Sequence, residues 1–152
     1  NSYYGRNGYS LRLDGLEPTL DLAFIDMTFR WAEVSRAKRR KVGCLIVKDG
    51  QIISCGFNGT PSGFDNECED NRLGHLVTKK EVLHAESNAL MKIARTNNSS
   101  QGATMYLTCA PCFDCAKLII QSGINRVVYK DDYRCTDGIN LLKKANIITE
   151  QL

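Results

Sequence analysis

The run "VGCLIVKDGQIISCGF", residues 42–57, constrains the fold of this chain more than any other stretch. Two β-rich segments flank Asp49-Gly50, a pair that accepts positive φ and closes a tight hairpin. Beyond the hairpin, strand-like "ATMYLTC", "NRVVYK" and "NIIT" alternate with helix-like segments. Such alternation needs right-handed crossovers, which lay parallel strands side by side. With a helix ahead of the hairpin, the order is α-β-β-α-β-α-β-α-β. The expected fold is α/β, a five-stranded mixed sheet covered by helices on both faces.

The leading helix starts near Thr19, which can cap it, and its apolar period runs through Leu20, Phe24, Met27, Trp31 and Val34. Its basic end, "AKRRK", suits a helix C-terminus. Residues 1–17, rich in Tyr, Gly and Asn, read as irregular, which leaves 18–152 as a single domain. After the hairpin, "NGTPSGFDNECEDNRLG" reads as a long loop, and loops of such length in compact domains are often functional. The next helix is expected over about 81–96. Pro111 can open another at its first position, ended by Gly123, and "TDGINLLKKA" makes a short last one.

A chain of 152 residues suits one domain, and no apolar run approaches the length of a membrane span. The net charge of +3 is too mild to argue for a nucleic-acid partner. The start lacks the order of a signal peptide, so a cytoplasmic setting is expected, or a host cell's cytoplasm for a viral source. Seven cysteines is an odd count, which in that setting argues against a disulfide framework. Cys44 and Cys55 sit in apolar strand-like runs and read as core residues. Cys112 and Cys115 form a CxxC, which points to metal or redox chemistry.

In "TCAPCFDCAKLII" the pair stands at a helix start, where one face holds both thiols and the helix end favours thiolates. Two thiolates do not complete a zinc site. The chain has two histidines, His75 and His84, and His84 also stands near a helix start, in "VLHAESNALMKIA". Cys112, Cys115 and His84 would make a Cys2His set with the fourth position open, the catalytic form of zinc. Glu86 lies two residues from His84, about 200° around an ideal helix, so the two cannot share a face. A division of labour follows: His84 holds the metal and Glu86 moves protons beside it. Zinc with two thiolates and a neutral imidazole is net neutral and acidifies water weakly, so a nearby base is needed.

The order H-x-E…P-C-x-x-C is that of zinc deaminases acting on nucleobases. From about Trp31 to Leu152 the chain resembles the deoxycytidylate (dCMP) deaminases, through "KVGCLIVKDGQIISCGFNGTPSGFDN", "LHAESNAL", "GATMYLTCAPCFDCAKLIIQSGINRVVY" and "DDYR". The resemblance implies the three-layer α/β/α cytidine-deaminase sandwich. It implies hydrolysis of dCMP to dUMP and ammonia, supplying the thymidylate precursor, with Glu86 carrying protons to N3 and to the departing amine. The N–H of Ala85 and the carbonyl near Thr108 would hold the base. Asn58 of "GFNG" would hydrogen-bond the sugar, against the plainer reading of a turn Asn. The phosphate needs cations or several donors. "AKRRKVG" offers Arg39 and Arg40; the resemblance favours Arg39 together with Tyr133 and leaves Lys38, Arg40 and Lys41 open.

Many such enzymes are activated by dCTP with Mg²⁺ and inhibited by dTTP, at a site near the subunit contacts of a homo-hexamer. Phe64, Asn66, Glu67 and Arg95 resemble that site. One departure concerns a second, structural zinc of some members. Ala37 stands where a Cys would bind it, so Cys68 and His75 do not close a tetrahedral site and one zinc per chain is expected. The alternatives are a deaminase of free cytidine or deoxycytidine, of tRNA adenosine or of polynucleotides, or a dCMP deaminase that also accepts dCTP. The "NGTPSGFDN" loop and the mild charge favour the mononucleotide enzyme. A non-catalytic zinc or nucleotide-binding module leaves Glu86 without a purpose, and a disulfide oxidoreductase leaves His84 and Glu86 without one.

Overall fold

The computed structural model describes residues 19–152, so the expected irregular segment 1–17 lies outside the described residues. Strands β1 (Gly43–Lys48) and β2 (Gln51–Phe57) form the expected hairpin, with Asp49 and Gly50 both at positive φ. With β5 (Thr104–Cys109), β6 (Arg126–Asp131) and β7 (Ile148–Gln151) they build one sheet in the order β2-β1-β5-β6-β7. β1 is antiparallel to both neighbours, and β5, β6 and β7 run parallel. The expected five-stranded mixed sheet is therefore present.

Side chains alternate across this sheet as a strand's period of two requires. Cys44, Ile46, Met105, Leu107 and Val127 face one way, where α2 (Ala85–Ala94), α3 (Phe113–Gln121) and α4 (Asp137–Lys144) cover them. Leu45, Val47, Tyr106 and Val128 face the other way, onto α1 (Leu20–Ala32). Thr19 caps α1 as expected, its hydroxyl accepting from the Leu22 N–H at 3.2 Å. The buried stripe of α1 is Phe24, Ile25, Thr28, Phe29 and Ala32. Of the residues first assigned to that stripe, Leu20, Met27 and Val34 are exposed. The helix carries apolar residues on more than one side, and the sheet took the side with the two phenylalanines, which fill more space.

Three further boundaries differ from expectation. The long loop contains a second, two-stranded sheet, β3 (Glu69–Arg72) against β4 (His75–Thr78). Its turn places Leu73 and Gly74 at positive φ, and a Leu in that role is not a turn signal a sequence offers. α2 starts at Ala85 rather than near 81, because Gly59 and Leu83 pair backbone to backbone and keep the chain extended up to His84. α3 starts at Phe113 with Cys112 as its N-cap, so Pro111 lies outside the helix instead of opening it.

Two close approaches lock the helices that carry the candidate site. A Cβ on Gly56 would stand 2.6 Å from the Ala85 carbonyl oxygen and 2.8 Å from the Ala89 nitrogen, so the first turns of α2 lie directly on β2. A Cβ on Gly138 would collide with the backbone of Pro111 and Cys112, so the start of α4 presses on the start of α3.

Candidate active site

His84 and Cys112 are each the N-cap of a helix, both in extended backbone conformation. Cys115 lies in the first turn of α3, and its N–H points to the Cys112 sulfur at 3.5 Å. The His84 Nδ1 is 3.5 Å from the Cys112 Sγ and 3.3 Å from the Cys115 Sγ. The three ligand atoms lie within 4.8 Å of one another, the one such cluster of three among the described residues. A tetrahedral zinc with bonds of about 2.0–2.3 Å has ligand–ligand edges of about 3.3–3.8 Å. The histidine–sulfur spacings match those edges, and soft sulfur with imidazole is a donor set that zinc accepts. His84, Cys112 and Cys115 therefore fit a zinc ion held by three protein ligands.

Glu86 is 4% exposed, a carboxylate with almost no access to water. Burial pushes its pKa up, against smaller lowering by its own backbone N–H and by His84. The Cys112 thiol is held down, first by a hydrogen bond from the Cys115 thiol and then by His84, and Cys115 is pushed up by the same contact and by burial. His84 is raised, chiefly by its hydrogen bond with Cys112. Of the two thiols, Cys112 is thus the more readily ionised, and thiolates are the form that binds metal.

His84, Glu86 and Cys112 line a cavity of about 390 Å³. Ala85 lines it too, and as the first residue of α2 its N–H has no partner within the helix. The same cavity is lined by exposed Arg39, Arg40 and Arg134 and by Tyr133, over whose ring the Arg134 guanidinium lies at 5.2 Å. A buried acid beside soft metal donors and exposed arginines thus share one space, which suits a small anionic molecule with a reactive, uncharged part.

The residues match the pattern of the cytidine and deoxycytidylate deaminase zinc-binding region over 18–131. The chain belongs to that family. The deoxycytidylate deaminase of Saccharomyces cerevisiae is 35% identical over 144 residues, which are 90% of this chain and 46% of that protein. That of Enterobacteria phage T4 is 33% identical over 147 residues, 72% of this chain and 76% of that one. This chain therefore spans less than half of the yeast relative. Among solved structures, dCMP deaminase from the cyanophage S-TIM5, in complex with dCMP and dUMP, superposes with a TM-score of 0.83. It is 40% identical, and the match covers 90% of this chain and 99% of that one.

The other residues named from the sequence fall in three groups. Arg39, Tyr133, Asn58 and Ala85 line the main cavity. The Asn58 side chain also holds backbone: its Nδ2 donates to the Arg40 carbonyl at 2.8 Å and its Oδ1 accepts from the Val42 N–H at 2.9 Å. Each end of the amide keeps hydrogen-bonding capacity beyond those two bonds. Thr108 is not part of the cavity wall; its hydroxyl accepts from the Gly43 N–H at 3.2 Å, and Cys109 and Ala110 line the wall instead. Phe64, Asn66 and Arg95 line a second cavity, also about 390 Å³. Glu67 is not among its walls; its N–H donates to the Asp65 carboxylate at 3.0 Å.

The sequence reading missed Glu69, Thr78 and Arg134 in the main cavity and Arg36 and Lys92 in the second. Arg134 carried a signal, since it follows Tyr133 in "DDYR". Glu69 and Thr78 carried none, because only the unforeseen hairpin brings them in. No helix of the described residues is long and apolar enough to cross a membrane.

Proposed function

We propose that this chain is a zinc-dependent deaminase that hydrolyses dCMP to dUMP and ammonia. One observation carries the reading: His84 and Cys112 of the three-donor cluster, buried Glu86 and three arginines border a single cavity. The cyanophage structure, which holds dCMP and dUMP, supports the same substrate.

Bound zinc supplies Lewis-acid activation of water near neutral pH. Glu86 accepts a proton from the attacking water and delivers it to N3 of the cytosine ring. The new C–O bond forms at C4. Glu86 then carries the second proton to the amine as the C4–N bond breaks, and ammonia leaves. Its raised pKa suits a group that must both take and return a proton. Ala85 offers its N–H to the base, and the carbonyl near Thr108 accepts from it. Asn58 serves the sugar and Tyr133 closes over the nucleotide. Arg39, Arg40 and Arg134 face the phosphate.

The second cavity is proposed to bind the regulatory triphosphates, dCTP with Mg²⁺ as activator and dTTP as inhibitor. Arg36, Lys92 and Arg95 among its walls support an anion there, and Phe64 offers a ring for a base. Asn58 and Cys68 line both cavities, a short path between them. Phe64 and Met91, exposed at the second cavity, are apolar surface suited to a subunit contact, and the assembly proposed is a homo-hexamer. The mild charge supports nucleotides rather than nucleic acid as substrates, in the cytoplasm.

Ammonia release from dCMP, deoxycytidine, dCTP and a single-stranded oligonucleotide tests the substrate. Turnover of dCMP well above the others is expected, and turnover of the oligonucleotide only would sink the reading. Repeating the dCMP assay with dCTP and Mg²⁺ or with dTTP tests the regulation, and sedimentation tests the hexamer.

A further inference from the structure

The segment 36–41 is neither helix nor strand, yet it brings Arg39 and Arg40 to the main cavity. Side chains hold it at several points, the Ser35 hydroxyl at its start by accepting from the Ala37 N–H at 3.2 Å. Asn58 holds its C-terminal end through Arg40 and Val42, as described. Glu69 holds the middle: its Oε2 accepts the N–H of Lys38 at 2.8 Å and of Arg39 at 3.0 Å. Thr78, directly opposite Glu69 in the β3–β4 hairpin, accepts from the Arg39 guanidinium at 3.2 Å.

This hairpin has little other anchorage. β4 is exposed along its whole length, and the Leu73 tip is 99% exposed. A carboxylate bordering a cavity with three arginines would also repel a phosphate. Both features make sense together if the carboxylate is engaged by the backbone. Two amide N–H groups converging on one oxygen neutralise part of its charge and fix the arginine-bearing loop.

Resting on the dCMP reading, we infer that Glu69 is a positioning residue, and that the β3–β4 hairpin is a brace that aims Arg39 at the phosphate of the substrate. Glu69 touches no reacting atom and acts through Arg39. Its removal therefore weakens recognition of the phosphate and spares the chemistry.

The test compares the zinc-loaded wild type with Glu69→Ala and Glu69→Gln. For Glu69→Ala, KM for dCMP is expected to rise about tenfold with kcat within about twofold. Its kcat/KM for deoxycytidine, which has no phosphate, should stay level with wild type. Glu69→Gln keeps an accepting oxygen and should restore most of the KM. Amide hydrogen exchange at Lys38 and Arg39, read without substrate, should accelerate in Glu69→Ala and much less in Glu69→Gln. An equal loss on dCMP and deoxycytidine, or tighter dCMP binding in Glu69→Ala, overturns the inference. So does unchanged exchange at the two amides. A wild type inert toward dCMP would instead remove the proposed substrate, while the exchange comparison still decides whether Glu69 holds the loop.

Discussion

The two walls of the main cavity are built in opposite ways. The wall with His84, Glu86 and Cys112 consists of helix starts seated on the sheet, with Glu86 and the neighbouring Cys115 buried and Gly56 and Gly138 leaving no gap beneath. The wall with Arg39 and Arg40 is an exposed loop, held by a few hydrogen bonds with the side chains of Asn58, Glu69 and Thr78. The difference suits what the proposed function asks of each. Groups that bind a metal and move protons need fixed distances and a site shielded from water, which a packed core supplies. Groups that meet a charged, well-hydrated phosphate can stand at the surface and adjust. Damage to the first wall should appear in kcat, metal content and stability. Damage to the second should appear in KM.

The largest effect tests the packed wall. Glu86→Gln is nearly isosteric but cannot take a proton, so kcat should fall about 10²–10⁴-fold. Zinc content by metal analysis and the melting temperature should stay near wild type. Unchanged turnover would end the proposed mechanism.

Gly56→Ala asks whether packing below that wall matters as much as the groups upon it. The new methyl meets backbone atoms of α2, which cannot rotate away, so a loss of about 2–4 kcal/mol in stability is expected. Because α2 carries His84, a zinc titration should show weaker binding as well. A variant as stable as wild type would mean that α2 shifts freely and the contrast between the walls is smaller than stated.

Arg39→Ala tests the loop wall. KM for dCMP should rise about tenfold, with kcat and zinc content retained and deoxycytidine turnover unaffected. A fall in kcat larger than the rise in KM would place Arg39 with the chemistry and erase the distinction.

The same contrast explains what could be read from the sequence. The sandwich was legible because hairpin chemistry at Asp49-Gly50 and the alternating strands and helices are local signals. The cluster of His84, Cys112 and Cys115 was legible because metal donors come in fixed types at fixed spacing. On the loop wall Arg39, Arg40 and Asn58 were named from the sequence, but Glu69 and Thr78 were not, since they reach Arg39 through a hairpin whose turn uses Leu73. The strand "ATMYLTC" was legible to its end at Cys109, but not which of its last residues line the cavity: Cys109 and Ala110 do, beside Thr108. The α1 stripe was misread at Leu20, Met27 and Val34 because hydrophobic period does not choose between two apolar faces.

The smallest effect comes from the far layer, where α1 is fastened by charge, and it serves as a control on both walls. The Asp21 carboxylate accepts from the Tyr106 hydroxyl at 2.6 Å and from both Arg126 amino groups, at 2.6 and 3.0 Å, while Glu150 holds Arg126 from the other side. Arg126 holds the Asp21 carboxyl below its ordinary value of 3.8. A carboxylate with a lowered folded-state pKa contributes stability that is full above the unfolded value and lost as pH falls through the folded one. With Asp21 partly exposed, screening limits that contribution to about 1 kcal/mol. Asp21→Asn should therefore melt a few degrees below wild type at neutral pH, and the gap should close as the pH falls below the ordinary carboxylate value. At high pH the Tyr106 hydroxyl, raised to about 12 by burial and by Asp21, keeps its proton through the range where an exposed tyrosine loses it. Zinc content and KM for dCMP should not move in this variant. Were they to move, the α1 layer would be mechanically joined to the site, and the packed wall would owe its rigidity to the whole sandwich rather than to the helix starts and glycine contacts beside it.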